Sequence, residues 1–155
     1  MADGSIDSQG TELFLSIDGT AVLKFDCPTA LTGLGYDSSE IPLDCLDSVN
    51  ETSRPGKKKL RPFTVPFIVQ DGSEAHEWLL DTTNNPTVEI PYAIGLSNGT
   101  ADPTITAGAF VAPTGRTVVT GKGCAGSLTV NANGGDVLRG SFTFSPQSQV
   151  WAYKA

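Results

Sequence analysis

The sequence has little of what catalysis, metal binding or membrane insertion requires. Its 155 residues include one histidine and three cysteines, and no apolar run approaches the ~18 residues that a membrane-spanning helix needs. The cysteines are too few and too widely spaced for a zinc site or a disulfide framework. These absences give no support to an enzyme, and we expect no catalytic residue, metal or cofactor.

Charged residues are also scarce, at 17% of the chain, whereas about 25% is usual for a soluble domain. A surface with so few charges is typical of a protein that is partly covered by its partners. The net charge is −7, yet five of the ten basic residues lie between Arg54 and Arg61. The rest of the chain therefore carries 5 basic and 17 acidic groups, or −12. An acidic body of this kind repels phosphates, so we expect no specific binding of nucleic acid.

Apolar runs separated by turn residues predict a mainly β fold, an antiparallel β-sandwich or barrel in one domain over residues 1–155. Phe142 and Phe144 alternate with polar residues and are predicted to share a buried face. Asp18-Gly19 predicts a two-residue hairpin turn, and Pro66 predicts an edge, a bulge or an outward-facing position. The predicted strands cover 13–17, 20–25, 63–69, 87–96, 104–111, 116–120, 127–131 and 137–144.

One short α-helix is predicted after Asp71, which precedes Glu74 by three residues as in a capping box. Ala75, Trp78 and Leu79 fall at helical spacing and predict an apolar stripe that docks on the sheet. Asn84-Asn85-Pro86 is expected to end the helix. No chemical role is predicted for the histidine or the cysteines. His76 is predicted to be a solvated helix residue, and the three thiols are predicted to be reduced and mostly buried: Cys27, Cys45 and Cys124.

The stretch from Tyr36 to Pro62 is predicted to be a long projecting loop, an arm that becomes ordered against a partner. A loop of roughly 25 residues within a compact domain is usually functional or disordered. Its basic cluster has three interpretations: a solvated loop, a nucleic-acid patch, or a surface that docks on an acidic face of another copy. Asp44 and Asp47 lie close enough in sequence to share a cation, although solvated carboxylates are the commoner case.

The arm sequences Ile41-Pro42-Leu43-Asp44-Cys45-Leu46-Asp47 and Glu51-Thr52-Ser53-Arg54-Pro55-Gly56-Lys57-Lys58 resemble the major tail tube proteins of bacteriophages with long, non-contractile tails. The helix from Asp71 to Asp81, the strand from Val88 to Leu96 and Ser97-Asn98-Gly99-Thr100 follow in a similar order. So do Phe110-Val111 and the closing strand from Val137 to Thr143. The resemblance covers residues 11 to 145.

This resemblance implies a β-sandwich with one helix, in which six copies form a ring around a continuous inner β-barrel. Stacked rings then make the tail tube that conducts phage DNA to the host cell during ejection. The docked helix is expected at 73–80, a flexible N-terminus at 1–10, and no C-terminal immunoglobulin-like domain. The residues assigned to the arm contact between rings are Tyr36, Leu43, Asp44, Leu46, Asp47, Arg54, Lys57, Lys58, Lys59 and Arg61.

The implied partners are further copies of the chain, the tape measure protein in the lumen before ejection, and the tail terminator and tail tip proteins. The implied locations are the virion tail and, during assembly, the host cytoplasm. DNA is expected to pass through the lumen without specific binding, and no membrane is involved. The alternative is a β-sandwich binding or decoration protein of a virion or cell surface, which would expose aromatic side chains such as Tyr36 in its loops.

Overall fold

The structure is a computed structural model that describes residues 5–43, 46, 49–50, 52–80 and 89–155. Within these residues the chain is mainly β, as predicted, with one helix. The elements are β1 (Glu12–Leu15), β2 (Leu23–Lys24), β3 (Tyr36–Leu43), β4 (Thr52–Leu60), β5 (Phe63–Ile68), α1 (Glu74–Leu80), β6 (Ile90–Gly95), β7 (Thr104–Thr106), β8 (Ala109–Val111), β9 (Val118–Asn131), β10 (Arg139–Pro146) and β11 (Val150–Ala152).

Seven of these strands form one curled antiparallel sheet in the order β2-β1-β6-β9-β10-β5, with β11 paired to β9. Strand β5 ends this path, so Pro66 lies in an edge strand, one of the positions predicted for it. Its register partner on β10 is Ser141. A proline is tolerated there because an edge strand needs to donate hydrogen bonds on one side only.

The segment after β2 covers the outer edge of β5. The Thr29 N–H donates to the Pro66 carbonyl at 2.8 Å, and Thr32 and Thr64 exchange backbone hydrogen bonds at 2.8 and 3.0 Å. Because β2 pairs with β1, the chain between residues 23 and 32 ties together the two ends of the sheet path. A covered edge no longer offers free backbone groups to a passing strand.

The main core lies on one face of the curled sheet, where strand alternation places large apolar side chains. Phe142 and Phe144 are 1% and 0% exposed, which confirms the buried face predicted from their spacing. Tyr92 and Phe63 pack with Phe144, with ring centroids 5.1 to 5.7 Å apart. Burying an aromatic side chain of this size contributes about 1.5–3 kcal/mol, so this cluster carries much of the stability of the sheet.

Part of the opposite sheet face is covered by a small hairpin of β7 and β8. Phe110 of β8 packs with Phe14 and Val118 in a second buried cluster. The prediction of one strand over 104–111 was wrong, because the chain reverses at Ala107 and Gly108, whose φ angles are 52° and 77°. Two successive positive φ angles are typical of the tight turn that joins short antiparallel strands.

Strand β9 is one strand of 14 residues where the sequence predicted two, at 116–120 and 127–131. The glycines between them suggested a break, but they mark close approach instead. A Cβ on Gly121 would lie 2.0 Å from the Ser148 carbonyl oxygen, and one on Gly123 would lie 2.6 Å from the Phe144 ring. Strand β11, which pairs with the start of β9, was not predicted.

The predicted hairpin of β1 and β2 is present, but its two-residue turn is not. The pairing Leu15↔Leu23 leaves seven residues, 16–22, in the connection. The Asp18 carboxylate accepts backbone N–H groups from Thr20 at 2.9 Å and Ala21 at 3.0 Å. These bonds lower the pKa of Asp18 and replace the expected primed turn with a loop organised by an aspartate side chain.

Helix α1 starts two residues later than the Asp71 cap predicted. The Ser73 hydroxyl accepts the His76 N–H at 3.4 Å, which makes Ser73 the N-cap residue. Asp71 and Gly72 form the turn that precedes it. The predicted helix end at Asn84-Asn85-Pro86 lies outside the described residues.

His76 is buried, so its interpretation as a solvated helix residue was wrong. It is 1% exposed and packs against the rings of Phe25 and Phe67, with centroids 4.8 and 4.7 Å away. Its Nδ1 atom accepts the Gln70 N–H at 3.0 Å, and its Nε2–H donates to the Asp26 carbonyl at 2.8 Å. The ring therefore joins the helix to the segment after β2.

Arg116 is the largest fully buried side chain in the described part of the protein, at 1% exposure. Its guanidinium donates to the carbonyl oxygens of Leu96, Gly95, Gly10 and Ala101 at 2.6 to 3.3 Å, and to Glu12 Oε2 at 3.4 Å. Gly95 leaves the space for it, because a Cβ there would lie 2.6 Å from the Arg116 Cζ atom. A buried charge is tolerated when hydrogen bonds satisfy it in this way.

The cysteines do not match the prediction of buried thiols. Cys27 is exposed, with a φ of 51°, and Cys124 is partly buried. Cys45 lies outside the described residues.

Candidate assembly surface

The arm predicted as a loop is a β-hairpin. Strands β3 and β4 pair antiparallel from Tyr36↔Leu60 to Leu43↔Thr52, with a bulge on β4 opposite the step from Ser38 to Glu40. They form a two-stranded sheet of their own, separate from the main sheet. The pairing was hidden in the sequence because every residue of β3 is exposed, so no apolar alternation marks the strand.

A backbone hydrogen bond closes the base of the arm. The Arg61 N–H donates to the Gly35 carbonyl at 3.0 Å, which closes the hairpin where it leaves the sheet. Gly33, just before it, has a φ of 93° that L side chains rarely adopt, and a Cβ there would lie 3.0 Å from the Pro62 carbonyl oxygen. These contacts fix the point from which the arm departs.

Apolar side chains are exposed toward the far end of the arm. Ile41 and Leu43 of β3 are 39% and 44% exposed, while Leu46 and Val49 are fully exposed. Asp44 and Asp47, predicted to share this contact surface, lie outside the described residues. A group of exposed apolar side chains is typical of a surface that meets another protein.

Most of the basic cluster lies nearer the base of the arm, on β4 and the residue that follows Leu60, whereas Arg54 pairs with Ile41 toward the far end. The Lys58 ammonium lies 4.5 Å from the centroid of the Tyr36 ring, and Arg61 Nε lies 3.6 Å from Asp37 Oδ2. We call this cluster the basic strip; it consists of Arg54, Lys57, Lys58, Lys59 and Arg61. All five residues are solvent-accessible, so the structure brings the predicted cations together on one exposed element.

The predicted helix stripe lies against the main sheet. Ala75 is 1% exposed, and Trp78 and Leu79 are partly buried and pack against the main core. The sequence analysis missed His76 as a fourth inward-facing residue. Its position directly after Ala75 does not by itself predict burial, because the burial of His76 depends on carbonyl and N–H partners that lie outside the helix.

The described residues contain no group of three or more His, Cys, Asp or Glu side chains that could hold a metal ion. A cavity of about 830 Å³ opens between residues 6–13 and 28–34, and its lining contains no histidine, cysteine or lysine. No helix in the described ranges is long and apolar enough to cross a bilayer. The arm is therefore the most distinctive feature of the surface.

The fold is shared with chains from several solved particles. The SPP1 tail tube has a TM-score of 0.69 at 14% identity, covering 97% of this chain and 80% of that one. The sheath–tube complex of the extracellular contractile injection system PVC has a TM-score of 0.66 at 17% identity, covering 98% and 94%. A chain from the virion of a native gene transfer agent particle has a TM-score of 0.64 at 7% identity, covering 96% and 99%.

Sequence comparison identifies the family of the chain. The profile of the family described as "Phage tail tube, TTP, lambda-like" matches residues 4–155. Structural protein 3 of Pseudomonas phage PAJU2 is 33% identical over 103 residues, and the match spans 64% of this chain and 60% of the length of that relative. The chain belongs to the lambda-like phage tail tube family. It is a structural component of a phage tail, and the resemblance seen in the sequence is confirmed.

Proposed function

We propose that copies of this chain form hexameric rings that stack into the tail tube, and that the tube conducts phage DNA to the host cell during ejection. The observation that carries this proposal is the arm, a hairpin of eight and nine residues with exposed apolar side chains and an exposed basic strip. A strand rises about 3.3 Å per residue, so eight residues extend about 26 Å. That reach suits contact with another copy.

The stability of the arm supports the same conclusion. A two-stranded hairpin on its own is marginal in water, because it buries too little apolar surface to offset the ordering of its backbone. The arm has the exposure of such a hairpin along its length. Contacts with a neighbouring ring would cover the tip side chains Leu43, Leu46 and Val49 and hold the hairpin in one position.

The charge of the chain supports passage of DNA rather than its capture. Outside the basic strip the net charge is −12, and neutralising phosphates with Lys and Arg is what gives proteins general affinity for DNA. A tube wall made from this chain would therefore let DNA slide past without specific binding.

We propose the remaining partners from the same family membership. The tape measure protein would occupy the lumen before ejection, the tail terminator would close one end of the tube, and tail tip proteins would meet the other. Assembly would take place in the host cytoplasm, without a membrane.

Negative-stain electron microscopy of the purified chain over a range of concentrations tests the proposal. We expect rings and tubes with sixfold symmetry in end views. Particles that stay monomeric at every concentration, or closed assemblies without a central channel, would contradict it. Limited proteolysis within 36–62, measured on monomers and tubes, supplies a second readout, since assembly should protect the arm.

A further inference from the structure

Exposed charges of opposite sign are segregated in this chain. Between Pro62 and Gly115 the sequence contains no lysine or arginine. The carboxylates in this stretch are Asp71, Glu74, Glu77, Asp81, Glu89 and Asp102. The basic strip ends immediately before this stretch begins, so the strip and helix α1 are opposite in charge.

Helix α1 presents carboxylates on the side that faces away from the core. Glu74 and Glu77 are exposed in its first turn, no basic residue lies in its last turn, and Asp71 is exposed in the preceding turn. Asp26 is also exposed, and its backbone carbonyl accepts a hydrogen bond from His76 of the helix at 2.8 Å. We call Asp26, Asp71, Glu74 and Glu77 the acidic helix face.

Most charges of the two surfaces have no ion-pair partner among the described residues. In the described ranges, the ion pairs formed by carboxylates use Glu12, Asp37 and Asp136, and none uses the acidic helix face. In the basic strip, Arg61 pairs with Asp37, whereas Arg54, Lys57 and Lys59 make no ion pair with a described residue. Charges of both signs are therefore left for a second copy to pair with.

We propose that the basic strip of one copy docks on the acidic helix face of a second copy. This inference rests on the proposed function and names the receiving surface for the arm. Because the two surfaces differ, the contact is heterologous: every copy both gives an arm and receives one, so the contact repeats through a stacked assembly. Complementary charge also orients the approach of the two copies.

The spacing of the charges fits this contact. Lys57 and Lys59 are two residues apart on a strand, which places them on one side of β4 about 6.6 Å apart. Glu74 and Glu77 are three apart on a helix, where neighbouring side chains lie about 5–6 Å apart. A strand laid along the helix can therefore form two ion pairs at once, with Asp71 as a further carboxylate for Arg54.

A charge swap tests the docking. The variant Lys57→Glu/Lys58→Glu/Lys59→Glu and the variant Asp71→Lys/Glu74→Lys/Glu77→Lys should each raise the protein concentration needed for tube assembly by about tenfold, given several exposed pairs per copy. The chain with both sets should assemble near the wild-type concentration. Sedimentation measures the threshold, and circular dichroism checks that each monomer is folded.

Two controls separate the possible outcomes. The strip variant combined with Glu89→Lys/Asp102→Lys, which changes two exposed acids outside the acidic helix face, should stay defective. The variant Glu74→Gln/Glu77→Gln places no cations at the helix N-terminus. It should still raise the protein concentration needed for tube assembly, and that concentration should depend less on salt than it does for wild type. If the wild-type chain forms tubes but the chain with both sets of substitutions does not, the docking is overturned and the proposed function stands. If the wild-type chain does not assemble, the proposed function and the docking are overturned together.

Discussion

The sheet and the arm are both antiparallel β-structure, but different forces hold them. The main sheet buries much of its strands, as in β5, where Phe63, Val65 and Phe67 are buried in the core, and in β6, which is buried along its length. Strand β3 of the arm has eight consecutive exposed residues. The sheet is therefore held by burial of apolar surface, whereas the arm has backbone hydrogen bonds and little else. The comparison separates the part of the chain that folds from the part that meets other copies.

The sheet should be most sensitive at Arg116. Replacing it with Met removes five hydrogen-bond contacts and leaves four carbonyl oxygens without that donor. We expect a loss of about 3–5 kcal/mol in the free energy of unfolding. Denaturant unfolding of the monomer measures it. The matched control is Arg139→Met, which removes an exposed pair with Asp136 and should cost less than about 1 kcal/mol; equal losses would contradict the importance of burial.

The next largest effect is expected at His76. The substitution His76→Leu keeps an apolar side chain among Phe25 and Phe67 but leaves the Gln70 N–H and the Asp26 carbonyl without their partner. The expected cost is about 2–4 kcal/mol. Glu77→Gln, exposed on the same helix, should change stability by less than about 0.5 kcal/mol. A His76→Leu chain as stable as wild type would show that these two hydrogen bonds contribute little.

Tyr92 gives the sheet a dependence on alkaline pH. Burial raises the pKa of Tyr92 to about 12, and an unfolded tyrosine has a pKa of about 10. The stability from the neutral phenol is fully present below pH 10 and is lost as the pH rises toward 12. Unfolding midpoints between pH 9 and 12 should fall more steeply for wild type than for Tyr92→Phe.

At neutral pH, Tyr92→Phe has the smallest expected effect of these substitutions. The Tyr92 hydroxyl donates to the Ser148 carbonyl at 2.9 Å, so its removal should cost about 1 kcal/mol.

In the alkaline experiment, parallel pH profiles for wild type and Tyr92→Phe would contradict a buried phenol at this position.

The sheet could be predicted from sequence where one face is buried. Phe142 and Phe144 follow the alternation that burial imposes on a strand, and the stripe from Ala75 follows the helical spacing. The same reasoning divided β9 into two strands, because Gly121 and Gly123 look like breaks until their neighbours Ser148 and Phe144 are placed against them.

The arm and the buried polar residues could not be predicted in this way. Strand β3 has no buried face and so no periodic signal. Arg116 and His76 are buried because of backbone partners far away in sequence: Gly10 lies 106 residues from Arg116, and Asp26 lies 50 from His76. Their burial is a property of tertiary contacts, which spacing along the chain does not encode.

Replacing the arm tests the separation of folding from assembly most directly. A chain in which residues 37–59 are exchanged for a short Gly/Ser linker keeps the base contact between Arg61 and Gly35. Its monomer should keep a β-rich circular dichroism spectrum and an unfolding free energy within about 1 kcal/mol of wild type, yet form no tubes by electron microscopy where wild type does. Tubes of normal length from the armless chain, or failure of that chain to fold, would contradict this account.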